Sequence, residues 1–199
     1  MKNRKTLFLT QSAILIAIEV VMKLIGLGAV PVGPLNMSFL TVPIAIGAIT
    51  LGPLTGAILG LVFGVMSFAD AISGRSLMTM TFLSISPVNT FILCVVTRVL
   101  VGLVTGYVAI ALRKVFKNDL SFYLSSLACP LLNTAFFMGY ICLVFYHIEY
   151  VQNLVTKLGA TNPLMFVALL VGMQGLVEAI ACAIIGGLTS KVVFKITKK

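Results

Sequence analysis

The sequence predicts an all-α membrane protein, a single domain over residues 1–199 with six transmembrane helices and both termini in the cytoplasm. Three observations carry that prediction. The chain is 60% hydrophobic and 10% charged, with mean hydropathy +1.15, whereas soluble domains run near 45–50% apolar and about 25% charged. Its apolar stretches run at about 7–30, 37–72, 77–112, 120–147 and 163–194, each long enough for the roughly 20 residues that cross a bilayer. Its basic residues gather in three clusters, Lys2, Arg4 and Lys5, then Arg113, Lys114 and Lys117, then Lys191, Lys195, Lys198 and Lys199.

The first span follows a basic start, like a signal peptide, but runs past about 18 residues without a clear small-residue cleavage site, so it is expected to be retained. Within it, Glu19 and Lys23 stand four apart in the order that favours an intrahelical pair. The stretch 37–72 is too long for one crossing, and Gly52-Pro53 divides it, because proline cannot continue a helix but fits the first turn of the next. The stretch 77–112, the fourth span, is expected to be one long helix kinked by Pro87. With spans over 120–147 and 163–194 the total is six. Positively charged loops stay cytoplasmic. Three clusters on one side require an even number of crossings between them, which four and then two satisfy.

Three outward connections follow, at about 28–37, 70–78 and 148–162. The first contains Pro31, Pro34 and Asn36 in a stiff turn, the second Asp70 and Arg75, and the third is the longest polar segment of the chain. The formal net charge of +9 does not indicate nucleic acid, because the basic residues flank apolar runs instead of forming a face with interleaved aromatics. Cys94, Cys129, Cys142 and Cys182 lie in apolar runs with no metal-ligand spacing, so neither a metal nor another cofactor is expected.

Gly52, Gly56, Gly60 and Gly64 recur every fourth residue and so share one helical face, on which another helix backbone can approach closely. Such a face is either an ordinary helix contact in lipid or a surface for another chain. Polar groups at membrane depth are costly and face a partner or a cavity. Arg98 and Glu178 lie 15 and 13 residues from Arg113 and Lys191, about 20 Å from the cytoplasmic side at 1.5 Å per residue, and are expected to form a structural ion pair, with direct contact to a substrate as the alternative. Asn89, Tyr140 and Gln174 sit about 10–20 Å below the outer surface, with Tyr146 near the rim. Their amides and phenols could bind a small polar solute, or serve as contacts between helices, as Asn133 is expected to do. The chain carries no Walker A loop, H-E-x-x-H or G-x-S-x-G motif, so it is not expected to be an enzyme.

Six short-looped spans, the Ala13 and Ala17 pair on the first helix, the segment from Leu51 to Gly64, Ser86-Pro87-Val88-Asn89-Thr90, and Thr97-Arg98 through Gly102 together resemble the substrate-binding S components of energy-coupling factor (ECF) vitamin transporters. The likeness is greatest to a branch associated with pantothenate, many of whose members carry proline in place of Thr97. The resemblance implies a subunit of the cell membrane that binds a B-type vitamin at its outer face. Spans one to three, through Ala13, Ala17, Gly56, Gly60 and Gly64, would dock on a membrane coupling subunit that works with two cytosolic ATPases. The outward loops and the outer ends of spans four to six would bind the vitamin, with Asn36, Arg75, Asn89, Tyr140, Tyr146 and Gln174 as candidate contacts and Arg75 facing a carboxylate. The alternatives are a self-contained carrier or channel dimerising through the glycine face, and a membrane-embedded enzyme acting on lipid or peptide, for instance through His147 and a serine.

Overall fold

The computed structural model describes residues 2–28, 30–32, 35–116 and 118–197, with the side chains of 2–4, 31–32, 35–37 and 197 left aside. Pro34, Lys117, Lys198 and Lys199 therefore lie outside the described residues, as does the side chain of Asn36. The architecture is a helical bundle. Helix α1 (Lys2–Leu24) leads into a small antiparallel hairpin of β1 (Val30–Val32) and β2 (Leu35–Met37), in which Val30 faces Met37. The short α2 (Thr41–Thr50) and the long α3 (Pro53–Ile72) follow. Then come α4 (Leu77–Ile85), α5 (Pro87–Val115), α6 (Leu120–Phe145), α7 (Glu149–Leu158) and α8 (Pro163–Ile196).

Five of these helices, α1, α3, α5, α6 and α8, are long and apolar enough to cross a membrane. The sixth expected span is shortened to α2, whose ten residues reach only about 15 Å. Every residue from Thr41 to Ile49 is buried, so α2 is a central strut wrapped by the longer helices. Helix α1 is the opposite case. Leu15 and Glu19 are its only buried residues among the described side chains, and Ile14, Ile18 and Val21 are exposed.

Two X-Pro steps set the breaks. Gly52 adopts φ 107°, which an L side chain rarely takes, and Pro53 opens α3. Ser86 is extended at φ −151° and ψ 96°, and Pro87 opens α5. The single helix expected over 77–112 is thus two, because the residue before a proline is pushed out of the helical region. Pro87 starts a helix where a kink was expected.

The glycine face of α3 packs on α5 of the same chain. A methyl group added at Gly56 would collide with the carbonyl of Gly102, one at Gly60 with that of Arg98, and one at Gly64 would lie 2.7 Å from Val95 Cα. Pro53 fills the space above Gly106 in the same way. These pairings run antiparallel, so Pro87 lies level with Ile72. Helix α4 therefore does not extend a crossing but runs over the end of the bundle. There Phe82 stacks on Phe145 at 4.3 Å and meets Tyr150 edge-on at 6.5 Å. Full burial of a phenylalanine contributes about 1.5–3 kcal/mol.

The third outer connection, expected as a polar segment, is the amphipathic helix α7, which buries Val151 and Val155 one turn apart. Gly159 in the left-handed conformation ends it, and Asn162 caps α8 by accepting from the Met165 N–H at 2.7 Å. At the opposite end, Asp119 pairs with Lys191 at 2.8 Å and Lys195 at 3.2 Å, and Arg113 lies 4.9 Å from the Phe194 ring. Lys23, near the end of α1, pairs with Asp70, near the end of α3, so these two helices run parallel. Their starts, and with them Lys5, share the end that holds Arg113, Lys191 and Lys195.

Candidate functional site

A cavity opens where two apolar clusters meet, one containing Phe63 and the other Met78, Met138 and Val171. It holds ≈ 80 Å³ of water-accessible space. One water needs about 10–15 Å³ on this measure, so the space is several times larger than a single buried water requires. Ser38, Ser76, Met78 and Thr79 line it at the hairpin end. The other walls come from Phe63, Ser67 and Asp70 of α3, Arg98 of α5, Asn133 and Phe137 of α6, and Gln174 and Glu178 of α8. Beside the outward segments and the helices expected to form the pocket, α3 also borders the cavity.

Arg98 is set by a local irregularity. Residues Ile92–Val96 form a π-helical turn in α5, a feature common beside functional sites. The Leu93 carbonyl accepts both from Thr97 Oγ1 at 2.5 Å and from Arg98 Nη1 at 3.3 Å, and Arg98 Nη1 also donates to Thr97 Oγ1 at 3.1 Å. The guanidinium carbon lies 4.0 Å from the Phe137 ring centre and 5.1 Å from that of Phe63. Arg98 is only 6% exposed, and its Nε is buried without a hydrogen-bond partner.

Glu178 is held from another direction. Its Oε1 accepts from the backbone N–H of Ser38 at 2.7 Å, which fastens the chain after the hairpin to α8, and Gln174 one turn earlier also hydrogen-bonds the carboxylate. The ion pair expected between Arg98 and Glu178 is not formed. Among the described residues the ion pairs are those of Lys23 with Asp70 and of Asp119 with Lys191 and Lys195. The two charges line one cavity from different helices. Glu19 and Lys23 do not pair either: Lys23 turns to Asp70, and Glu19 is fully buried with both oxygens unpartnered.

Of the residues expected at the pocket, Gln174 lines it. Tyr140 instead donates to Asn89 Oδ1 at 3.1 Å, a link between α6 and α5 that does not border the cavity. Tyr146 packs against Phe166 and His147, and its carbonyl accepts from Gln152 Nε2 at 2.6 Å. Arg75 is exposed, and its backbone N–H donates to the Asp70 carbonyl at 3.0 Å. Asn36 belongs to β2 and pairs in register with Pro31, its side chain lying outside the description. Ala13 and Ala17 are exposed on α1. Gly56, Gly60 and Gly64 are not free for a partner chain, since α5 covers them.

Asn133, expected as a contact between helices, has its Oδ1 buried without a partner and lines the cavity; the Gln174 Oε1 is likewise unpartnered. Ser38 and Asp70 were not expected there. A signal was present for one pair only. Gln174 and Glu178 stand four apart in an apolar stretch of α8, which puts both on one face.

The model of the family described as ECF transporter, substrate-specific component matches residues 7–186. A search of curated proteins found no match.

Proposed function

The chain belongs to the substrate-specific components of ECF transporters, and on that premise we propose that its cavity captures a B-type vitamin, with pantothenate the first candidate. Members of this family are transport proteins and not enzymes, and the five long apolar helices make this chain a multi-pass membrane protein. In the proposed cycle the basic ends face the cytoplasm and the hairpin, α4 and α7 face outward at the cell membrane. The loaded subunit docks on a membrane coupling subunit, and two cytosolic ATPases drive release inward.

One observation carries this reading: a chain with 10% charged residues concentrates Arg98, Glu178, Asp70, Gln174 and Asn133 around a single cavity. Docking is assigned to α1, whose Ala13 and Ala17 lie on an exposed apolar helix. A small-residue face suits a partner that must attach and release, because it allows close packing without strong polar bonds.

The test is a thermal-shift screen of the detergent-purified chain against the B vitamins. A ligand at about 100 times its dissociation constant adds about 2.7 kcal/mol and raises the melting temperature. Uptake should appear only when coupling subunits are co-expressed, and Ala13→Trp with Ala17→Trp should abolish uptake while binding persists. A screen in which no vitamin shifts melting overturns the capture reading. Transport by the chain alone in proteoliposomes would favour the self-contained carrier.

A further inference from the structure

We infer that the cargo is a small organic anion, whose carboxylate is received by Arg98 while its hydroxyl or amide N–H groups are read by Asn133, Gln174 and Glu178. This rests on the capture reading and adds the ligand's charge and polarity to it. Arg98 is buried at membrane depth and, among the described residues, has no carboxylate within ion-pairing distance. Among the described residues its hydrogen-bond acceptors are neutral, the Leu93 carbonyl and the Thr97 hydroxyl. The rings of Phe63 and Phe137 stabilise a cation but do not neutralise it. An unpaired charge in such a place is expensive, and it is retained where a partner arrives from elsewhere.

The other charged groups on the wall are already engaged. Asp70 is paired with Lys23, and Glu178 accepts from Ser38 and Gln174. The buried oxygens without partners, Asn133 Oδ1 and Gln174 Oε1, are acceptors that call for donors on the ligand. A planar guanidinium edge matches the two oxygens of a carboxylate. A neutral cargo would leave Arg98 without a contacting anion, since Glu178 acts on it only from beyond ion-pairing distance, and a cationic one would add like charge beside it.

The test uses matched probes on the purified chain: pantothenate against pantothenol, nicotinate against nicotinamide, and thiamine as a cation, each titrated by calorimetry. An acid is expected to bind at least about 10-fold more tightly than its neutral counterpart, with thiamine weakest. Arg98→Gln should weaken the acid by about 10- to 100-fold and its neutral analogue by less than about 3-fold, erasing the preference, whereas Arg98→Lys should retain part of it. A merely structural role for Arg98 would weaken both members of a pair equally and would overturn the assignment. The wild-type comparison needs no variant to fold: if a neutral or cationic probe binds as tightly as the acids, the anion assignment fails while vitamin capture stands. If no probe binds, the anion assignment fails, and the screen of all the B vitamins decides the capture reading separately.

Discussion

Helix α5 has two neighbours that could hardly be more different. Toward α3 it presents Gly102 and Gly106, and the two backbones touch with no side chain between them. Beside that seam it presents the side chain of Arg98, which faces a cavity bordered by amides and carboxylates from α3, α6 and α8. The first surface is stabilised by dispersion between closely packed atoms, and the second holds polar groups that the fold itself leaves incompletely partnered. The contrast teaches that in this bundle close packing and binding are separated by helix face and not by helix number, so a rotation of about 100° per residue changes a residue's task.

The largest effect should come from filling the seam. Gly102→Ala puts a methyl group into the Gly56 carbonyl, and because the obstacle is backbone, destabilisation should reach or exceed the upper end of the about 1–3 kcal/mol typical of overpacking. Gly172→Ala meets nothing within 4 Å and should be neutral or slightly stabilising. Thermal melting in detergent checks both, and equal melting temperatures for the two variants would break the comparison.

Next is the ion pair at the edge of the cavity. Lys23→Ala leaves Asp70, whose side chain is 10% exposed, without its partner, and should destabilise by about 2 kcal/mol, less than the about 3–5 kcal/mol of a fully buried pair. Adding Asp70→Asn should recover most of that loss, and a double variant as unstable as the single one would refute the pairing.

Smaller still is Tyr140→Phe, which removes the bond to Asn89 and should lower stability by about 1 kcal/mol while changing vitamin affinity less than about 3-fold. A loss of binding beyond tenfold would return Tyr140 to the pocket and redraw its wall.

The smallest change belongs to the opposite end. Hydrogen bonds from Lys191 and then Lys195 hold the Asp119 carboxyl below the usual carboxylate range. Its contribution is therefore present above its unfolded value and is lost as pH falls through the folded one. Asp119→Asn should lower melting slightly at pH 7 and not at all in strong acid, as pH-dependent melting curves can check.

Particular residues show how much could be read in advance. Gly52-Pro53 announced a break and the structure contains it. Ser86-Pro87 carried the same signal, but the unbroken apolar run hid the fact that α4 lies across the bundle end. Gln174 could be placed by its depth, while Asn89 and Tyr140 at similar depths satisfy each other away from the cavity. Depth follows from counting residues along a helix. Facing depends on how each helix is rotated against its neighbours. Arg75 illustrates the same point, since a position beside the outer loop did not bring its side chain to the site.

The sequence alone determined residence in the membrane, the family, and the helix start at Pro53, because hydropathy and the backbone restrictions of proline act over a few neighbouring residues. Only the tertiary structure decided that the glycine ladder is consumed by α5, that Lys23 takes Asp70 instead of Glu19, and that Arg98 faces a cavity without an anionic partner. Those outcomes rest on the register and rotation of helices far apart in the chain, which no local pattern fixes.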